Sequence, residues 1–175
     1  KVQNRNLVPV KLPETYLSQK DQFRLMRIKT VKDSRTLTLI FPLPSTQKYF
    51  KSRPLSMLGF LIGHEGKGSL LSLLKEQGMA SGLSAGGGDS TSAFTSFNIR
   101  IQLTPKGLKQ FTLVIERVFQ YLRLLREKSL PRDIYEEVRR MAEIDYRFAE
   151  KTGGTRLVNM FSLLMQLYPL RTVES

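Results

Sequence analysis

The residues able to do chemistry are few, and most gather in "FLIGHEGKGSLLSLLKEQG", Phe60 to Gly78. This stretch holds the single histidine of the chain, His64, beside Glu65 and inside a cluster of glycines. A zinc hydrolase site of the H-E-x-x-H or H-x-x-E-H kind needs two histidines and a glutamate on one helical face. One histidine cannot complete it. A serine nucleophile would have to share the same base, and no G-x-S-x-G turn is present. The phosphate loop G-x-x-x-x-G-K-[ST] is also poorly met, because in "GHEGKGS" the lysine precedes the last glycine and no buried strand leads in. The residues then read as a glycine corner that lets two helical segments meet at an angle. "SAGGGDS", Ser84 to Ser90, has the composition of a backbone anion nest or, more simply, of a hairpin tip. Cysteine is absent, which excludes disulfides, thiolate catalysis and zinc-cysteine sites. Asp145 and Tyr146 lie in a helical pattern without a second carboxylate at useful spacing. Neither a catalytic nor a metal-binding set is therefore predicted within these residues.

The elements around the corner follow from periodicity. "FRLMRIKT" (23–30) alternates imperfectly, "KDSR" is turn-rich, and "TLTLIFPLP" (36–44) is β-rich, with Pro42 and Pro44 read as its end. Together these two runs predict a hairpin or two adjacent strands. "LSMLGFLI" has helical spacing that Gly63, Gly66 and Gly68 interrupt. Ser69 is placed to cap a second short helix, which Gly78 ends. "GLSAGG" reads as a strand with almost no side chains, its backbone exposed. In "FTSFNIRIQL" (94–103) the apolar residues alternate cleanly, as in a strand buried on one side. Thr104 and Pro105 start a helix whose stripe is Leu108, Phe111, Ile115, Val118, Phe119, Leu122 and Leu125. A further helix from Ser129 or Pro131 carries Ile134, Val138, Met141, Ile144, Tyr146 and Phe148, and "RLVNMFSLLMQLYP" is the last, closed by Pro169. The fold class is α+β, with helices layered on one face of a mostly antiparallel sheet.

At 175 residues with 41% hydrophobic content the chain can bury a real core. The polar segment 1–22 reads as a linker and 23–175 as one domain, and both ends suggest a piece of a longer chain. No apolar run is long enough to span a membrane. The net charge of +13 invites nucleic acid as a partner. Lys and Arg are nevertheless scattered, with few interleaved aromatics to stack on bases, so a solvated surface or an acidic protein partner accounts better for the charge.

Four blocks then make a set: "RPLSMLGFLIGHEGKGSLLSLLKEQGMASGLSAGG", "IRIQLTPKGLKQFTLVIERVFQYLRLLREK", "DIYEEVRRMAEIDYRFAEK" and "VNMFSLLMQLYPL". In this order they resemble the second domain of the amino-terminal half of the insulinase or pitrilysin family of zinc metallopeptidases. The resemblance covers residues 23–175. It implies that zinc is bound outside this segment, by an H-x-x-E-H motif in a preceding catalytic domain, and that the parent hydrolyses peptides. This segment would be non-catalytic, part of a substrate chamber shared with that domain and with the carboxy-terminal half of the parent. It further implies an exosite that anchors the N-terminal end of a peptide substrate. Gly63 and Glu65 match the corner positions that contact the terminus. Leu83 matches the start of the exosite strand, on which Ala85 and Gly87 stand where relatives often carry glycine and a polar residue. The family fold continues into one more strand, so a sheet short of its last strand is expected. A periplasmic or secreted parent is expected as well. Two rival readings stay open: a degenerate homologue of the same fold that serves assembly, and a basic nucleic-acid-binding module.

Overall fold

The computed structural model describes residues 19–128 and 132–168. The chain divides into two compact units, Lys1–Leu130 and Pro131–Ser175. In the first, the order is β1 (Thr36–Pro44), α1 (Pro54–Gly63), α2 (Leu70–Glu76), β2 (Ala80–Ser90), β3 (Phe94–Leu103), α3 (Pro105–Lys109) and α4 (Phe111–Glu127). The second holds α5 (Arg132–Arg147) and α6 (Gly154–Leu167).

The three strands form one antiparallel sheet in the order β1-β3-β2. Alternation decides its faces. On β3, Phe97, Ile99, Ile101 and Leu103 point into the core, and their register partners Leu37, Leu39 and Phe41 on β1 and Leu83 and Ala85 on β2 lie on the same side. Helices cover that side, contributing Ile62 from α1, Leu70, Leu71 and Leu74 from α2, and Val114 and Val118 from α4. Burying each such side chain stabilises the fold by about 1.5–3 kcal/mol, which is why this layer can order the corner above it. Thr36, Thr38, Arg100 and Gln102 on the opposite face remain exposed.

The helix boundaries have local causes. Ser69 accepts a hydrogen bond from the Ser72 N–H at 3.1 Å, which caps α2. At the other end Gly78 adopts φ +67°, while Gly78 N–H donates to the Lys75 carbonyl and Met79 N–H to that of Leu74. This paired reversal satisfies two terminal carbonyls and turns the chain directly into β2. Thr104 caps α3 by accepting from Gly107 N–H at 3.0 Å, with Pro105 in the first turn.

Three expectations need correction. The segment 23–30 is not a strand: it has no ladder partner among the described residues, and the sheet begins with β1 at Thr36, just after Arg35, whose carbonyl accepts from Leu103 N–H at 2.7 Å. The guanidinium of Arg27 instead sits 5.4 Å from the centre of the Phe111 ring. Secondly, Pro42 and Pro44 lie within β1 rather than ending it. Because Leu103 N–H points to β1, the odd-numbered residues of β3 bond to β1, and by register so do residues 35, 37, 39, 41 and 43. The prolines occupy the other phase, where an N–H would face away from the sheet and none is lost from the ladder. Thirdly, the helix after Thr104 breaks at Gln110 (φ −112°, ψ 31°) into α3 and α4, which shifts the buried stripe. Val114 and Val118 are fully buried, whereas Leu108 and Phe119 are about half exposed. Pro169 and the start proposed at Ser129 or Pro131 lie outside the described residues.

Candidate functional site

The same hydrogen-bond phase that places the prolines of β1 determines what β2 offers. Thr104 N–H donates to the Met79 carbonyl at 3.0 Å, so the even-numbered residues at this end of β3 turn toward β2. Their register partners Gly82, Ser84 and Gly86 take up those bonds. Leu83, Ala85 and Gly87 fall in the alternate phase, with N–H and C=O directed away from β3. No further strand pairs with β2 among the described residues. Its outward groups form a short row at a sheet edge.

Helix α1 runs beside that row and meets it through glycine. A Cβ built on Gly59 would lie 2.8 Å from the Ala85 carbonyl oxygen and 3.1 Å from the Gly86 Cα. One turn later, a Cβ on Gly63 would stand 3.8 Å from the Ala85 nitrogen. Two glycines four residues apart thus give α1 a bare side; at Gly59 the main chains of α1 and β2 approach too closely for a side chain, whereas at Gly63 a Cβ would make an ordinary contact. The structure brings Gly63 near Ala85, two of the residues that the resemblance singled out. It also adds Gly59, which the sequence reading passed over; the signal was the repeat of glycine at a helical spacing in "GFLIG".

Beyond Gly63 the corner is built around His64. Its Nδ1 accepts the Gly66 N–H at 3.1 Å, and its ring tilts against Phe60 with centroids 6.1 Å apart. A Cβ on Gly66 would overlap the imidazole, so any larger residue there would have to turn the His64 ring aside. Glu65 projects from the bend and its Oε2 lies 3.4 Å from Lys75 Nζ, both side chains being well exposed. Under the corner, the Tyr121 hydroxyl from α4 donates to the Leu61 carbonyl at 3.4 Å, and burial pushes its pKa above the ordinary 10.0. These side chains do not fit zinc: one imidazole nitrogen already accepts a backbone hydrogen bond, and no group of three ligating residues occurs among the described residues.

The family description "Peptidase M16 inactive domain" matches residues 1–142. The chain belongs to this peptidase family. Among curated relatives, it is 34% identical to nardilysin of Homo sapiens over 154 residues, covering 86% of this chain and 13% of that protein. To the insulin-degrading enzyme of Drosophila melanogaster it is 34% identical over 172 residues, covering 98% of this chain and 17% of the relative. A nardilysin-like protein of Arabidopsis thaliana is 37% identical over 154 residues, with 86% and 15% covered. The crystal structure of pitrilysin superposes with a TM-score of 0.73 at 24% identity, over 89% of this chain and 18% of that one, which shows the shared fold. The chain therefore spans less than a fifth of the length of these relatives.

Proposed function

We propose that this M16 segment is a non-catalytic domain of a zinc-dependent endopeptidase, lining part of its substrate chamber and docking the N-terminal end of an extended peptide. The observation that carries the reading is the contrast between the two sheet edges. At β1 the outward phase includes Pro42 and Pro44, which offer no donor, whereas β2 offers the outward groups of Leu83, Ala85 and Gly87 beside a helix stripped to glycine. An extended peptide adds to such an edge through main-chain bonds that do not depend on its sequence. Glu65, in the bend that follows α1, supplies a carboxylate to the terminal ammonium. Zinc and the water it activates belong, on this reading, to a preceding catalytic domain of the intact protein, and the carboxy-terminal half closes the chamber.

The test is binding of an extended peptide with a free amino terminus, and of its N-acetylated form, to the intact protein. The free-amine peptide is expected to bind more tightly, and Glu65→Gln to abolish that preference while leaving the acetylated peptide unchanged. Equal affinity of the two peptides for the unmodified protein would remove Glu65 from the site. Absence of H-x-x-E-H from the intact protein would turn the reading toward an assembly role.

A further inference from the structure

Glu65 does not wait for a ligand unaccompanied. Lys75 stands in the last turn of α2, and its Nζ reaches back across the corner to within 3.4 Å of Glu65 Oε2, although the two residues are ten apart in sequence. The contact exists because the short helix α2, capped at Ser69 and reversed at Gly78, brings its C-terminal end beside the bend it started from. A primary ammonium on a carboxylate is the same chemistry that a peptide's amino terminus would bring.

We propose that Lys75 is a specificity-determining residue: an internal ammonium that occupies Glu65 and competes with the amino terminus of an incoming peptide. This rests on the docking role of Glu65 proposed above. A second cation approaching Glu65 must either displace Lys75, at the cost of the existing ion pair, or share the carboxylate with it, at the cost of like-charge repulsion. Lys75 is suited to the part because its ammonium sits on a flexible four-carbon stem and its side chain keeps about half its surface in water, so it can swing aside. Its effect should fall on charged termini alone. An acetylated peptide neither needs Glu65 nor feels the competition.

Removing the charge tests this with the intact protein, Lys75→Met and Lys75→Arg being compared with the unmodified chain for binding of one peptide in free-amine and N-acetylated forms. An exposed ion pair is weak, so Lys75→Met is expected to tighten the free-amine peptide by about two- to fivefold. The acetylated form should be unmoved, and Lys75→Arg should behave like lysine. A purely structural role for Lys75 would instead weaken both peptides together. If the unmodified protein prefers the free amine and Lys75→Met leaves that preference unchanged or reduces it, the competition is overturned while the docking role of Glu65 stands. If the unmodified protein shows no preference, the docking role itself fails and the competition goes with it.

Discussion

Strand addition at β2 makes a prediction that side-chain recognition does not share. A peptide laid along the edge turns every second N–H toward β2 and the others toward solvent. N-methylation of a peptide at the first set removes donors that Leu83 and Gly87 would accept; methylation at the second set leaves the ladder intact. Each main-chain bond is worth about 1 kcal/mol net, since the free groups are otherwise hydrated. Gly87 is exposed and rehydrates when its partner is lost, so no further desolvation penalty is added there. Loss of two donors therefore costs roughly 2 kcal/mol, a weakening of about thirtyfold, against a change of less than about twofold for the alternate set. Competition against a labelled peptide, followed by fluorescence anisotropy on the intact protein with a chelator present to suppress cleavage, reads both numbers. Equal losses from the two sets, or none from either, would show that the peptide does not extend this sheet.

Two predictions concern the scaffold. Replacing Gly107 by alanine would gain up to about 1 kcal/mol of helix propensity, but the new Cβ would overlap the Met79 carbonyl. That carbonyl cannot easily retreat because Thr104 N–H donates to it at 3.0 Å and the Thr104 hydroxyl holds the neighbouring Gly78 carbonyl at 2.7 Å. Overpacking should win, and a net loss of about 2 kcal/mol is expected in urea denaturation, with Gly107→Ser no better. For Tyr121, burial raises the folded pKa above the ordinary 10.0, so the folded state holds the phenolic proton longer than the unfolded chain. Its contribution to stability is fully present below pH 10 and is lost as pH rises through the raised value; Tyr121→Phe should remove that component of the alkaline decline.

How much of this was legible in the sequence depended on whether a signal was local. Ser69, Gly78, Thr104 and Pro105 act on groups within a few residues, and each does in the structure what its type predicts. The β3 alternation was equally clear because one face is wholly buried. The segment 23–30 misled because alternation describes a strand only where a neighbour exists to bond it. Pro42 and Pro44 misled in the opposite sense: proline is excluded from a ladder only at residues whose N–H is used, and which residues those are depends on the register with β3, some sixty residues away in the chain. Val114 was missed since the break at Gln110 resets the helical phase, and nothing in the composition of "GLKQF" announces it. At the candidate site, Leu83, Ala85 and Gly87 were singled out through resemblance, but their common outward phase and the contact of Ala85 with Gly59 are long-range facts that periodicity cannot supply.

The inequality of the two edges also governs how copies of this domain can meet. Joining β1 of one copy to β2 of the next would repeat indefinitely and build an open array, but the prolines leave the far half of β1 without donors to sustain it. Pairing β2 with β2 uses one patch twice about a twofold axis. Such an arrangement is finished at two chains, having consumed the edges that could grow. Any tendency toward sheet extension in the absence of peptide would thus end in a closed pair rather than a fibre, and that pair would hide the very row of groups at Leu83 to Gly87 on which docking depends.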